Sequence, residues 1–178
     1  VEPEPAVAVV PASADWTGFY GGGQLGGAEL SQFFPGTDDV HLGLEGRHYG
    51  LHVGYLRDYG QFVAGGELSY DKLDDFDVGF FGPGDFDGNV IRAKLLAGYD
   101  SGKFLPYAAV SFARMELESS GISLDDTGFG FGVGAKFMAT PRVMLGVEWM
   151  TNEFEFEAVE DSVDFDLGTV SLSASYRF

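Results

Sequence analysis

TVSLSASYRF, residues 169–178, closes the chain with a strict alternation. Val170, Leu172, Ala174, Tyr176 and Phe178 fall on one face of an extended strand, and Ser171, Ser173, Ser175 and Arg177 on the other, because successive strand side chains point to opposite faces. The apolar face ends on two aromatic residues two positions apart. Such a strand needs neighbours whose apolar faces continue its own, so the rest of the chain decides what it belongs to.

Seven further stretches carry the same pattern. FYGGGQLGGAEL, from Phe19, sets Phe19, Gly21, Gly23, Leu25 and Gly27 against Tyr20, Gly22, Gln24 and Gly26. RHYGLHVGYL alternates Tyr49, Leu51, Val53 and Tyr55 with His48, Gly50, His52 and Gly54, and QFVAGGELSY turns Phe62, Ala64, Leu68 and Tyr70 away from Glu67 and Ser69. NVIRAKLLAGY opposes Ile91, Ala93, Leu95 and Ala97 to Arg92 and Lys94. LPYAAVSFARM has the weakest alternation, and GFGFGVGAKFM the clearest, with Phe129, Phe131, Val133 and Phe137 facing away from four glycines and Lys136. VMLGVEWM places Val143, Leu145, Val147 and Trp149 opposite Glu148. With the closing strand the count is eight. An even number lets the first and last strands pair antiparallel and abolish both sheet edges.

Composition agrees with this all-β reading. The 178 residues make one domain and include 27 glycines, 17 phenylalanines and 8 tyrosines. No apolar run approaches the roughly 18 residues a spanning helix requires. With no cysteine, disulfides and thiolate metal sites are excluded. A formal charge of −18 argues against nucleic acid as a partner, since phosphate binding needs concentrated Lys and Arg. Residues 1–14 hold three of the seven prolines and read as a flexible tail before a domain spanning 15–178. Val1 in place of Met, with no basic-then-apolar leader, reads as a processed mature start.

The connections alternate in length. Short turns are expected at Asp58–Gln61, Asp100–Lys103 and Thr140–Arg142, and long loops near residues 30–45, 71–89, 116–127 and 153–168. Of 28 acidic residues, 21 fall in or beside the long connections, whereas Arg57, Lys103 and Arg142 sit at the short turns.

Short turns at one end and long loops at the other are the pattern of outer-membrane barrels. The chain resembles the eight-stranded OmpA transmembrane domain and the Opa/NspA surface-protein group. The residues that carry the likeness are Asp15–Tyr20 with Gln24, Leu25 and Gly26; Gly65–Tyr70; Ala93, Lys94 and Leu95; and Ser175–Phe178. The resemblance implies an eight-stranded antiparallel up-and-down transmembrane β-barrel in the bacterial outer membrane, with short periplasmic turns, long extracellular loops and both termini periplasmic. It also implies outer-membrane lipid, lipopolysaccharide and, during insertion, the barrel-assembly machinery as partners, with Tyr176 and Phe178 as part of the assembly signal. The OmpA barrel holds a plug of ion pairs, and Glu67 and Lys94 stand where two of its members would be. Lys136 departs from that family, which tends to place an acid there, and Glu148 on the neighbouring strand is its expected partner.

The inward set therefore predicts a charged lumen network of Glu67, Arg92, Lys94, Lys136 and Glu148, with His48 and His52 beside it. If Tyr59 and Gly60 form the two-residue turn, His52 lies opposite Glu67 and His48 opposite Asp71. Eight strands leave an interior that side chains can fill, which argues against a pore. No cofactor is expected.

Some barrels of this size modify lipid A, but no serine is expected within reach of the inward histidines, and His41 belongs to a loop. The enzymatic alternative and a small transport barrel rank behind a structural or surface-interaction role. Asp85 and Asp87 are weak candidates for a divalent cation, lacking the spacing of a dedicated calcium loop. Outside, Gly21, Gly23, Gly27 and Ala174 leave a shallow strip that a membrane-protein partner or second copy could approach, or that simply eases closure.

Overall fold

The computed structural model describes residues 14–33, 42–74, 87–119, 122–157 and 162–178. Its strands are β1 (Gly18–Phe33), β2 (Leu42–Asp58), β3 (Phe62–Asp74), β4 (Asp87–Tyr99), β5 (Phe104–Ser119), β6 (Ile122–Thr140), β7 (Val143–Glu157) and β8 (Ser162–Arg177). Each pairs antiparallel with the next, and β1 pairs with β8, so the sheet is a closed up-and-down barrel. Closure leaves no edge with unpaired backbone groups, the condition for crossing hydrocarbon with strands.

The outward face is apolar throughout its middle, with Phe19, Leu51, Phe62, Leu95, Phe112, Val133 and Leu172 exposed. At the end carrying the short turns, aromatic rings pair across neighbouring strands: Phe19 with Tyr55 at 4.7 Å, Phe62 with Tyr99 at 6.3 Å and Phe104 with Phe137 at 4.8 Å between centroids. An apolar belt edged by aromatic rings suits a membrane boundary.

The strands outrun their apolar alternation. Backbone pairing does not need hydrocarbon, so ladders continue past the belt into segments read from sequence as loops. The long connection expected over 116–127 is corrected accordingly: β5 and β6 pair up to Ser119 and Ile122. Asp87 begins β4 opposite Glu118, and Asp85 lies outside the described residues, as do residues 1–13 of the tail.

The β2–β3 register also differs from the sequence expectation. His52 pairs with Ser69 and His48 with Leu73, while Glu67 faces Gly54 and Asp71 faces Gly50. The turn is centred one residue later than expected, on Gly60 and Gln61: Tyr59 donates its amide to the Phe62 carbonyl at 2.8 Å, and Gly60 takes a φ of +99°. Glycine tolerates that conformation because it lacks a Cβ. Moving the turn by one shifts the register by two, so every side chain keeps its face and only its neighbours change.

Candidate functional site

The inward side chains form layers along the barrel. At the turn end Trp16 is fully buried in a cluster with Leu56, Val63, Leu96, Leu105, Met138 and Met144. Its indole Nε1 donates to Asp100 Oδ1 and to the Gly102 carbonyl, both at 3.2 Å. The segment before β1 is fixed from both ends of the chain, since Arg177 donates to the carbonyls of Asp15 at 2.8 Å and Thr17 at 2.9 Å. The Thr17 amide and hydroxyl hold the exposed Asp15 carboxyl below the usual carboxylate range, with Arg177 adding a smaller pull.

Above this apolar floor is an ionic layer. Glu67 accepts from Lys94 at 2.5 Å, from Lys136 at 3.1 Å and from the Tyr20 hydroxyl at 2.7 Å. Lys94 also reaches Glu148 at 2.8 Å, and Glu148 accepts from the Tyr107 hydroxyl at 2.8 Å. The expected Lys136–Glu148 pair is thus replaced. On the ladder Lys136 faces Gly146 rather than Glu148, and its long side chain crosses the lumen to Glu67 with its ammonium 4.8 Å from the Tyr20 ring centroid.

A third layer centres on Asp71, which accepts from Arg92 at 2.8 Å, Gln24 at 2.6 Å and Ser69 at 3.3 Å. Arg92 also donates to Asn152 at 3.2 Å, and Asn152 donates to Ser111 at 2.7 Å. A second apolar cluster of Ala28, Leu73, Val90, Ala113, Met115 and Leu167 lies beyond. Glu67, Asp71 and Glu148 balance Arg92, Lys94 and Lys136, so these six buried or nearly buried charges sum to zero. Buried ions are tolerable only when paired and hydrogen-bonded in this way.

The histidines correct another expectation. His52 Nε2 lies 2.7 Å from Ser175 Oγ, and His48 Nε2 lies 3.1 Å from Ser171 Oγ, so serines do stand within reach of both rings. His48 Nδ1 is 3.5 Å from Asp71 Oδ1. The β1–β8 closure creates these neighbours across 123 residues of sequence, a distance over which strand pattern alone gives no pairing.

Sequence reasoning left out Tyr20, Tyr107 and Trp16 as members of the site, and had Asp71 only as a neighbour of His48. Two of them have a readable signal: the Tyr20 and Tyr107 rings lie over Gly54 and Gly134, their ladder partners, where an added Cβ would meet the ring at 2.5 Å. A glycine across from an inward tyrosine marks a ring lying flat on backbone.

Outside, Gly23 pairs with Ala174, while Gly21 and Gly27 pair with Tyr176 and Val170. Tyr176 and Phe178 pack edge to face at 5.6 Å on the outer rim of the seam, where the Phe178 amide donates to the Phe19 carbonyl. Among the described residues no group of three or more His, Asp or Glu is placed to hold a metal ion.

A closed eight-stranded antiparallel barrel with an apolar, aromatic-edged exterior and a charged interior defines a bacterial outer-membrane protein. Residues 5–178 match the model of the outer membrane protein beta-barrel domain, and the chain belongs to that family. Among solved structures it is similar to the Neisserial surface protein A, NspA, with 21% identity over 91% of this chain and 98% of that one and a TM-score of 0.56. It is also similar to the outer membrane protein AlkL, with 14% identity over 100% and 96% of the two chains and a TM-score of 0.56. At these identities the likeness concerns the fold. No curated protein matches the chain in sequence.

Proposed function

We propose that the protein is a lumen-closed outer-membrane barrel with a structural or surface-interaction role, oriented with its short turns and both termini in the periplasm and its acidic connections outside. The observation that carries this reading is the Glu67 carboxylate held between Lys94 and Lys136, inside a neutral set of charges that has an apolar layer on either side. Long side chains reach across the lumen and meet, which supports a closed interior. Tyr176 and Phe178, presented at the seam, fit the role of a signal for the assembly machinery. In planar bilayers the folded protein is expected to give no steady open level. Large, stable openings would replace this reading with that of a transport barrel.

A second reading, an enzyme, is favoured by one observation, the Ser171–His48–Asp71 succession. It has the order of a nucleophile, a base and an orienting acid. It ranks second because Ser171, His48 and Asp71 are all buried in mid-barrel and Asp71 is already engaged by Arg92 and Gln24. A fluorophosphonate probe is expected to leave Ser171 and Ser175 unlabelled in the folded barrel. Stoichiometric labelling of Ser171, lost in His48→Ala, would reverse the ranking.

A further inference from the structure

The seam that closes the barrel carries two hydrogen bonds of one design. His52 and Ser175 are both ladder partners of Gly22, and His48 and Ser171 are both partners of Gly26. Each histidine on β2 therefore reaches its serine on β8 over a β1 residue that has no side chain, at 2.7 Å for His52 and 3.1 Å for His48. A Cβ on Gly22 would collide with the Ala174 carbonyl, and one on Gly26 with the Val170 carbonyl, so both positions must stay glycine. β2 and β8 are not neighbours in the sheet, and the two bonds brace β1 between them.

The two rings differ at the other nitrogen. His48 Nδ1 has the Asp71 carboxylate at 3.5 Å, so a proton there meets a negative charge. His52 Nδ1 is buried and meets no hydrogen-bonding group among the described residues. The groups that face His52 are Tyr20 from β1, Glu67 and Asp71 from β3, Lys94 from β4, Lys136 from β6 and Ser175 from β8. Their two carboxylates are matched by two ammonium groups, and both carboxylates are already engaged by cations. One ring nitrogen suffices to bond Ser175, so the neutral ring fits. A second proton would place an unbalanced charge and an N–H without an acceptor in the lumen. We propose that His52 is a pH-sensitive brace of the β1–β8 closure: neutral, it helps to hold the barrel shut, and the arrival of a proton weakens the folded barrel. The sign follows from linkage. The unfolded chain accepts the proton and the folded barrel refuses it, so stability is full above the ordinary histidine range and falls as the solution is acidified.

Urea unfolding of the full chain in micelles, followed by tryptophan fluorescence at about pH 7.5 and about pH 5.5, tests this over the interval in which histidine titrates and most carboxylates do not. A histidine in an unfolded chain is about nine-tenths protonated at about pH 5.5, so the wild-type folding constant should fall about tenfold between the two conditions. His52→Gln keeps an amide donor for Ser175 and cannot take the proton, so its folding constant should hold within about twofold, whatever its own stability. His48→Gln should retain the wild-type fall. Should His52→Gln fail to fold, side-chain spectra of the wild type labelled with ¹⁵N-histidine decide the matter, the His52 ring remaining neutral in the folded barrel at the lower pH. The brace is overturned by an equal response in His52→Gln and the wild type, by a wild-type folding constant that does not change, or by a His52 ring that takes the proton while the barrel stays folded.

Discussion

Glu67→Gln is expected to lower the stability of the barrel by about 3–5 kcal/mol, the range found when one partner of a buried ion pair is removed. Glu67 accepts from two ammonium groups and a hydroxyl, so its loss leaves Lys94 with Glu148, takes from Lys136 the carboxylate it reaches, and gives the lumen an uncompensated positive charge. Lys136 suffers most, because Glu67 is the carboxylate it meets, whereas Lys94 keeps Glu148. The double variant Glu67→Gln with Lys136→Met should recover much of the loss, since it removes the stranded cation along with its partner. Glu148→Gln should cost less than Glu67→Gln, because Glu148 is partly exposed and Lys94 keeps Glu67. Urea unfolding in micelles gives the ranking. A loss below about 1 kcal/mol for Glu67→Gln, the value of a surface pair, would show that the network does not hold the strands together.

The second large effect is expected at the floor. Trp16→Ala should destabilise by about 3–5 kcal/mol, the cost of deleting a large buried aromatic side chain that its surroundings cannot refill. Trp16 has no solvent exposure, and it ties the segment before β1 to the β4–β5 turn through Asp100 and Gly102. Trp16→Phe keeps most of the apolar contact and loses the indole donor, so its cost should be nearer 1 kcal/mol, that of a hydrogen bond. The temperature of the gel-mobility shift separates the two. Equal shifts for Ala and Phe would mean that the hydrogen bonds, not the packing, carry the residue.

These residues also show what the sequence can disclose. Alternation is a property of each strand by itself, so the face of Glu67, Lys94 or Leu51 can be read without knowing any neighbour, and eight such strands specify a closed sheet. Register depends on where a turn is centred. Tyr59, Gly60 and Gln61 are compatible with two centrings, and the hydrogen bond between Tyr59 and Phe62 selects one. Partner choice inside the lumen is harder still. Lys136 reaches Glu67 across the interior rather than along the sheet, and the serines beside His48 and His52 come from the far end of the chain. Trp16 precedes the first alternating stretch, so no strand pattern includes it.

The seam between β1 and β8 has a kinetic consequence. Arg177 and Phe178 bind the backbone around residues 15–19, contacts that span about 160 residues of sequence. Loop-closure entropy must be met before such distant contacts form, which makes topologies of this kind slow to fold. Until β8 pairs with it, β1 keeps an open edge able to pair with any other extended chain. The protein must therefore cross the periplasm with that edge shielded, and its final strand arrives as the piece that ends the need for a chaperone.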